Sequence, residues 1–271
     1  MLNKAQSVKD KLKKISMDKK VEFNSSLRLF MYDRFIERLS ISDYNENFIL
    51  KGGFYLSSLF GIDNRNTMDI DLALKRVKLD KDVLLVIIQD IISIDLKDNI
   101  TFNIVNIDTI RDEDEYGGLR VTIDFNLENI KDSFHIDVAA GDLKYNIPIQ
   151  YGYKSIFSND VYNLFAYSIE MVLVEKIETI LTRLDDNSRM KDFYDIYLIY
   201  NSSEVNYSLF NDLFNKTLKI KNFNKNINEC ISIIENSNIL ESRWKSYSKK
   251  NSFAKNIEFI DIINIIKKIL I

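Results

Sequence analysis

The sequence predicts an α+β fold: a mixed sheet flanked by helices, followed by a C-terminal α-helical bundle. Three observations predict it. Three segments between residues 100 and 140 alternate apolar and polar side chains, as half-buried strands do. From about residue 160 the apolar period is helical to the end. Hydrophobic residues make up 46% and charged residues 28%, enough apolar material for a real core.

The elements follow in order. Residues 3–16 and about 20–40 read as helices, the second with Val21, Leu27, Phe30, Met31, Phe35 and Leu39 at near-helical spacing. Residues 48–50 are a short apolar strand, and Gly52-Gly53 opens a helix through Leu59 or Phe60. Residues 68–74 (MDIDLAL) alternate at their start and read as a strand; residues 80–94 read as an apolar helix. Residues 100–108 alternate with a slip in register. Residues 119–127 put Val121, Ile123, Phe125 and Leu127 on one face. Residues 133–140 put Phe134, Ile136 and Val138 on one face, with His135 and Asp137 on the other. Pro148 and Gly152 mark a change of character. The expected division is a domain of residues 1–155 with its N-terminal helices, then a helical domain of residues 156–271.

Composition removes several function classes. The net charge is −3, so nucleic-acid contact must be local. Residues 1–40 carry a positive surplus, residues 41–155 a negative one, and the rest is balanced. One cysteine, Cys230, forbids an intramolecular disulfide and fits a reducing cytoplasm. The first 20 residues lack the apolar run of a secretion signal, and no stretch reaches the roughly 20 apolar residues of a membrane span. His135 is the single histidine, so a Ser-His-Asp or His-ligated zinc mechanism has almost no material.

The strongest local signal lies in residues 51–74. Asp69 and Asp71 are two apart on a strand, so they share a face roughly 6–7 Å apart. Met68, Ile70 and Leu72 point the other way. Two carboxylates on one face repel each other, and a hard divalent cation removes that penalty. Mg²⁺ takes one or two carboxylates plus substrate phosphate oxygens. Asp137 joins the pair if its strand lies beside residues 68–74, and three carboxylates could hold two ions. Gly52-Gly53 at a helix start lets backbone N–H groups approach phosphate. The bland alternative is a solvated Asp-x-Asp on an exposed strand face.

The second half offers Lys176 and Arg183, two helical turns apart on one face, which could clamp leaving phosphates. Asp192 and Asp195 share a face of the next helix. Lys191 and Asp195, at i and i+4, also suit an ordinary helix ion pair, and Arg183 beside Asp185 or Asp186 suits solvated surface.

Together these segments resemble the AbiEii/AbiGii toxin family of nucleotidyltransferases, in the DNA polymerase β-like superfamily. The matching residues are Lys51-Gly52-Gly53, Arg65, Thr67, Asp69-Ile70-Asp71-Leu72, Ile136-Asp137, Gly141-Asp142, Glu175-Lys176, Arg183, Arg189, Lys191-Asp192, Tyr194-Asp195-Ile196 and Arg243-Trp244. With the basic loop and amphipathic closing helix that follow Trp244, they span residues 50–270. The resemblance implies a nucleotidyltransferase-type mixed sheet followed by a helical bundle. It also implies transfer of a nucleotide from an NTP to an acceptor hydroxyl, with Mg²⁺ or Mn²⁺ as cofactor, and tRNA as the acceptor for some members. Members are toxins of toxin–antitoxin or abortive-infection systems, which implies a cognate antitoxin. It assigns catalysis to Asp69, Asp71, Asp137, Lys176 and Asp192, and metal binding to Asp69, Asp71 and Asp137. It assigns nucleotide binding to Gly52, Gly53, Arg65, Thr67, Arg183, Lys191 and Asp195. On this reading Asp137 serves as general base, Lys176 neutralises leaving phosphate charge, and the NTP lies between the two domains. One departure stands out: the superfamily's Gly-Ser is here Gly53-Phe54, with Ser57 and Ser58 a turn further on.

That departure supports a rival expectation, an inactive nucleotide- or RNA-binding module that kept the fold. A protein hydroxyl as acceptor is a third reading. The basic, aromatic run from Arg243 through Trp244 and Phe253 to Lys255 suits either RNA stacking or a solvated helix end whose rings pack inward. Cys230, in an apolar helical pattern, reads as core.

Overall fold

The computed structural model describes residues 4–19, 21–65, 67, 69–110, 117–140 and 148–270. Met68, Gly141 and Asp142 therefore lie outside the described residues. The chain divides into two compact units, with the change between Ala166 and Tyr167.

The first unit opens with helices α1 (Lys4–Lys19) and α2 (Phe23–Ile41). Then come strand β1 (Phe48–Lys51), helix α3 (Gly52–Phe60), strand β2 (Asp69–Leu74) and helix α4 (Lys81–Ser93). Five strands follow: β3 (Thr101–Ile110), β4 (Gly118–Leu127), β5 (Ile130–Ala140), β6 (Ile149–Lys154) and β7 (Val161–Ala166). They form one seven-stranded sheet in the order β3-β4-β5-β2-β1-β7-β6. β2 runs parallel to β5 and β1 parallel to β7; the other neighbours are antiparallel, so the sheet is mixed. The slip read in residues 100–108 is a register shift between Ile104 and Asn106.

Period-2 alternation sorts the sheet into two faces. Ile70, Leu72, Val121, Ile123, Phe125, Phe134, Ile136 and Val138 are all buried. Met31, Tyr32 and Phe35 of α2 and Leu84, Ile88 and Ile91 of α4 are buried as well. Edge-to-face rings tie the layers together: Phe134 lies 5.6 Å from Tyr32 and 5.7 Å from Phe102. Arg38 is buried in this layer because it is fully paired, with Asp98 at 3.1 Å and the Ile94 carbonyl at 3.0 Å. Asp80 caps α4 by accepting from the N–H groups of Asp82 and Val83.

The second unit is helical: α5 (Ile169–Arg183), α6 (Met190–Ser202), α7 (Tyr207–Ile220), α8 (Ile227–Glu235), α9 (Asn238–Lys250) and α10 (Phe259–Leu270). α5 packs on α6 and α7, and α10 on α6 and α8. Ser168, Asn206, Asn226 and Ser237 cap α5, α7, α8 and α9 with their side chains.

Two sequence expectations change. Residues 161–166 form the strand β7 and not the start of the helical region, so the sheet unit extends past residue 155 to Ala166. The alternation in VYNLFA covers only six residues and merges with the apolar run of α5, which hides it. β6 was not foreseen as a strand; five of its six residues are exposed or half-buried, the weak pattern of an edge strand.

Candidate active site

The sheet unit gathers its charged side chains on the face opposite the core. In-register pairing sets Asp71 beside Lys51 on one side and Asp137 on the other; Asp137 in turn faces Arg120. One step along, Asp69 lies beside His135, which faces Thr122. The expected adjacency of residues 133–140 and 68–74 is present, in parallel register. His135 Nδ1 and the Thr122 hydroxyl are 3.2 Å apart. Asp124 lies exposed on the same face.

The helix that opens at Gly52 abuts this row. Gly52 has φ +67, and a Cβ there would sit 2.1 Å from Asp71 Oδ2, so only glycine allows the approach. The Gly53 N–H donates to Asp71 Oδ2 at 3.1 Å. One of the α3 donors assigned to phosphate is thus given to a carboxylate. Arg65 is buried, and it and Thr67 each come within 3.0 Å of where a Cβ on Gly53 would stand. The Thr67 hydroxyl donates to the Asp69 carbonyl at 3.2 Å. Phe54, at the position of the superfamily's serine, is a core residue stacked 5.6 Å from Tyr153. Neither later serine replaces it: Ser57 is buried, and the Ser58 hydroxyl is shared between the Tyr55 carbonyl and the Tyr151 hydroxyl.

The three carboxylates share a face but do not form one cation cage. Among the described residues no group of three acidic, His or Cys side chains is placed to hold a metal ion. Asp137 is already engaged by Arg120. Its Nε and Nη2 donate to the two oxygens of Asp137, each at 2.7 Å, and Nη2 lies 4.0 Å from Asp69 Oδ2. The bond to Asp137, with the charges of Asp137, Asp69 and Asp71, holds the guanidinium pKa still further above its ordinary value. Asp69 and Asp71 alone fit one hard cation, since Mg²⁺ needs only one or two carboxylates beside phosphate oxygens. Sequence reasoning passed over Arg120. The signal was there: it alternates with Val121, Ile123 and Phe125, which places it on the face of Asp137.

In the helical unit Lys176 of α5 lies between Asp192 and Asp195 of α6, at 2.5 and 2.9 Å. Both carboxylates are fully buried and the ammonium nearly so. Burial alone would lower the lysine pKa; Asp195 and Asp192 outweigh it and hold it above 10.5. Arg189 Nε stands 2.8 Å from Asp192 Oδ2, a contact whose angle falls short of a hydrogen bond, and its side chain is 37% exposed. Asp195 therefore pairs with Lys176, while Lys191 is exposed. Arg183 is half-buried at the end of α5. Trp244 is buried with its indole N–H on the Ile257 carbonyl, and the half-buried Phe253 ring lies tilted 4.7 Å from Tyr194, so these rings pack inward. Cys230 is buried in α8, and burial pushes its thiol pKa up.

A mixed sheet with neighbouring carboxylates beside a glycine-opened helix defines a nucleotidyltransferase-type protein. The chain belongs to the family described as "Nucleotidyl transferase AbiEii toxin, Type IV TA system", whose profile matches residues 34–260. Among solved structures, a candidate nucleotidyltransferase from H. pylori superposes with a TM-score of 0.51 at 13% identity, over 92% of this chain and 94% of that one. JHP933 from Helicobacter pylori gives 0.45 at 13% identity, covering 92% and 90%. An antigenic nucleotidyltransferase-like protein from Paracoccidioides brasiliensis gives 0.40 at 14% identity, covering 75% and 92%. A search of curated proteins finds no match. Among the described residues no helix is long and apolar enough to cross a membrane.

Proposed function

We propose that this chain is a metal-dependent toxin that moves a nucleotide from an NTP to an acceptor hydroxyl, with tRNA as the acceptor class. The observation that carries the reading is the pairing of Asp69 and Asp71 on one strand face, against a helix start where only glycine fits. Membership of the AbiEii family supports it. Asp69 and Asp71 are the proposed ligands of Mg²⁺ or Mn²⁺. Bound there, the ion would neutralise triphosphate charge and lower the barrier to attack. The N-terminus of α3 orients Asp71 through the Gly53 N–H. A cognate antitoxin, a role in abortive infection and a cytoplasmic setting follow from the same reading; the gene neighbourhood tests the first.

The test is a transfer assay on total RNA with each of the four NTPs, radiolabelled at the α-phosphate. One NTP is expected to label a tRNA-sized band, and Asp69→Ala and Asp71→Ala to cut labelling by at least about 10²-fold, the scale of losing a main transition-state stabiliser. Full activity in both variants would refute the assignment. The second reading, a binding module without chemistry, has the buried Phe54 in its favour. Heat of Mg-NTP binding with no labelled product, on RNA or protein, would favour it.

A further inference from the structure

Arg120 stands among the carboxylates without a role in the reading above. It is the in-register neighbour of Asp137 and meets it fork to fork, with both carboxylate oxygens engaged at 2.7 Å. A cation coordinated by Asp137 would have to share those oxygens with a guanidinium that cannot lose its charge. The same Nη2 reaches to within 4.0 Å of Asp69. Arg120 therefore already supplies positive charge between the two strands that carry the acids. Its side chain is 39% exposed, against 29% for Asp69 and 19% for Asp137. A guanidinium has five N–H donors and Asp137 takes two, which leaves three.

We propose that Arg120 is the fixed counter-cation of the third carboxylate. The site then takes one divalent ion, on Asp69 and Asp71, and Arg120 takes the place of a second. Asp137 is a positioning residue in this scheme. It holds the guanidinium flat, with its remaining donors available to phosphate oxygens, and it neither ligates metal nor accepts the acceptor's proton. The inference rests on the metal-dependent reading above and deepens it.

The test counts ions and does not depend on turnover. Mn²⁺ alone is titrated into the full chain, and bound metal is counted by electron paramagnetic resonance, with the Asp69→Asn/Asp71→Asn double variant as the background. Wild type is expected to hold one Mn²⁺ above background. Arg120→Gln frees the Asp137 oxygens and removes a repelling charge, so it is expected to hold two, the first at least tenfold tighter. Arg120→Lys keeps a charge and is expected to stay at one. Asp137→Asn is also expected to stay at one, and covers the case in which Arg120→Gln does not fold. Two ions in wild type, one in Arg120→Gln at unchanged affinity, or none in Asp137→Asn would each overturn the proposal and leave metal dependence standing. No ion above background in wild type would remove both readings together.

Discussion

In the sheet unit Asp69, Asp71 and Asp137 stand on a partly open strand face, with Arg120 paired to Asp137 and within 4.0 Å of Asp69. In the helical unit Asp192 and Asp195 are fully buried and share Lys176. The residue types match and the surroundings do not. On the open face water screens each charge, so a cation can leave and another take its place at modest cost. In the buried cluster each charge depends on its partner, because removal of one strands the others away from solvent. The first arrangement suits chemistry with a changing cast of ions. The second suits a joint between helices α5 and α6.

The largest expected effect tests that joint. Lys176→Met fills the space but takes the ammonium away from two buried carboxylates, and should cost about 3–5 kcal/mol in urea unfolding. A loss below about 1 kcal/mol would erase the contrast. The same pair carries a pH signature. Lys176 has a raised pKa in the folded chain, so its stabilisation is complete below 10.5 and drains away as pH climbs through the higher folded value. Wild type minus Lys176→Met should therefore shrink above that pH and stay flat from neutral to pH 10. A difference that grows with pH would reverse the sign.

Gly52→Ala comes next. The residue would hold φ +67 with its Cβ against Asp71 Oδ2, and should cost about 1–2 kcal/mol from backbone strain. Transfer activity should fall more than stability does, because Asp71 must move. The smallest effect belongs to Asp69→Asn. It relieves repulsion on an open face, so stability should stay within about 0.5 kcal/mol of wild type or rise. A clear loss would mean that the open face is structural as well.

Much of the sheet unit was legible because its strands alternate cleanly. Ile70 and Leu72 turn inward, which forces Asp69 and Asp71 outward. The same rule placed His135 and Asp137 on one face and a slip within residues 100–108, which the strand pairing locates between Ile104 and Asn106. What escaped depended on pairing between strands. Arg120 and Asp137 are seventeen residues apart; alternation gives their shared face, but their meeting depends on the antiparallel register of β4 and β5. The burial of Lys176 was not legible for a different reason. Its spacing to Arg183 was read as a shared face, whereas burial depends on which helix covers that face. α6 covers Lys176 and leaves Lys191 in water.

The in-register alignment of β2 and β5 makes the acidic row sensitive to length more than to composition. Insert or delete one residue between Ile130 and His135 while keeping the β4–β5 turn, and every later side chain of β5 swaps sides. Asp137 would then be driven into the aromatic layer, and Val138 after a deletion, or Ile136 after an insertion, would stand beside Asp71 in its place. Descendants of this chain can therefore trade many residues along that strand, but a frame-preserving loss of a single codon there would strike the proposed site and the core at once.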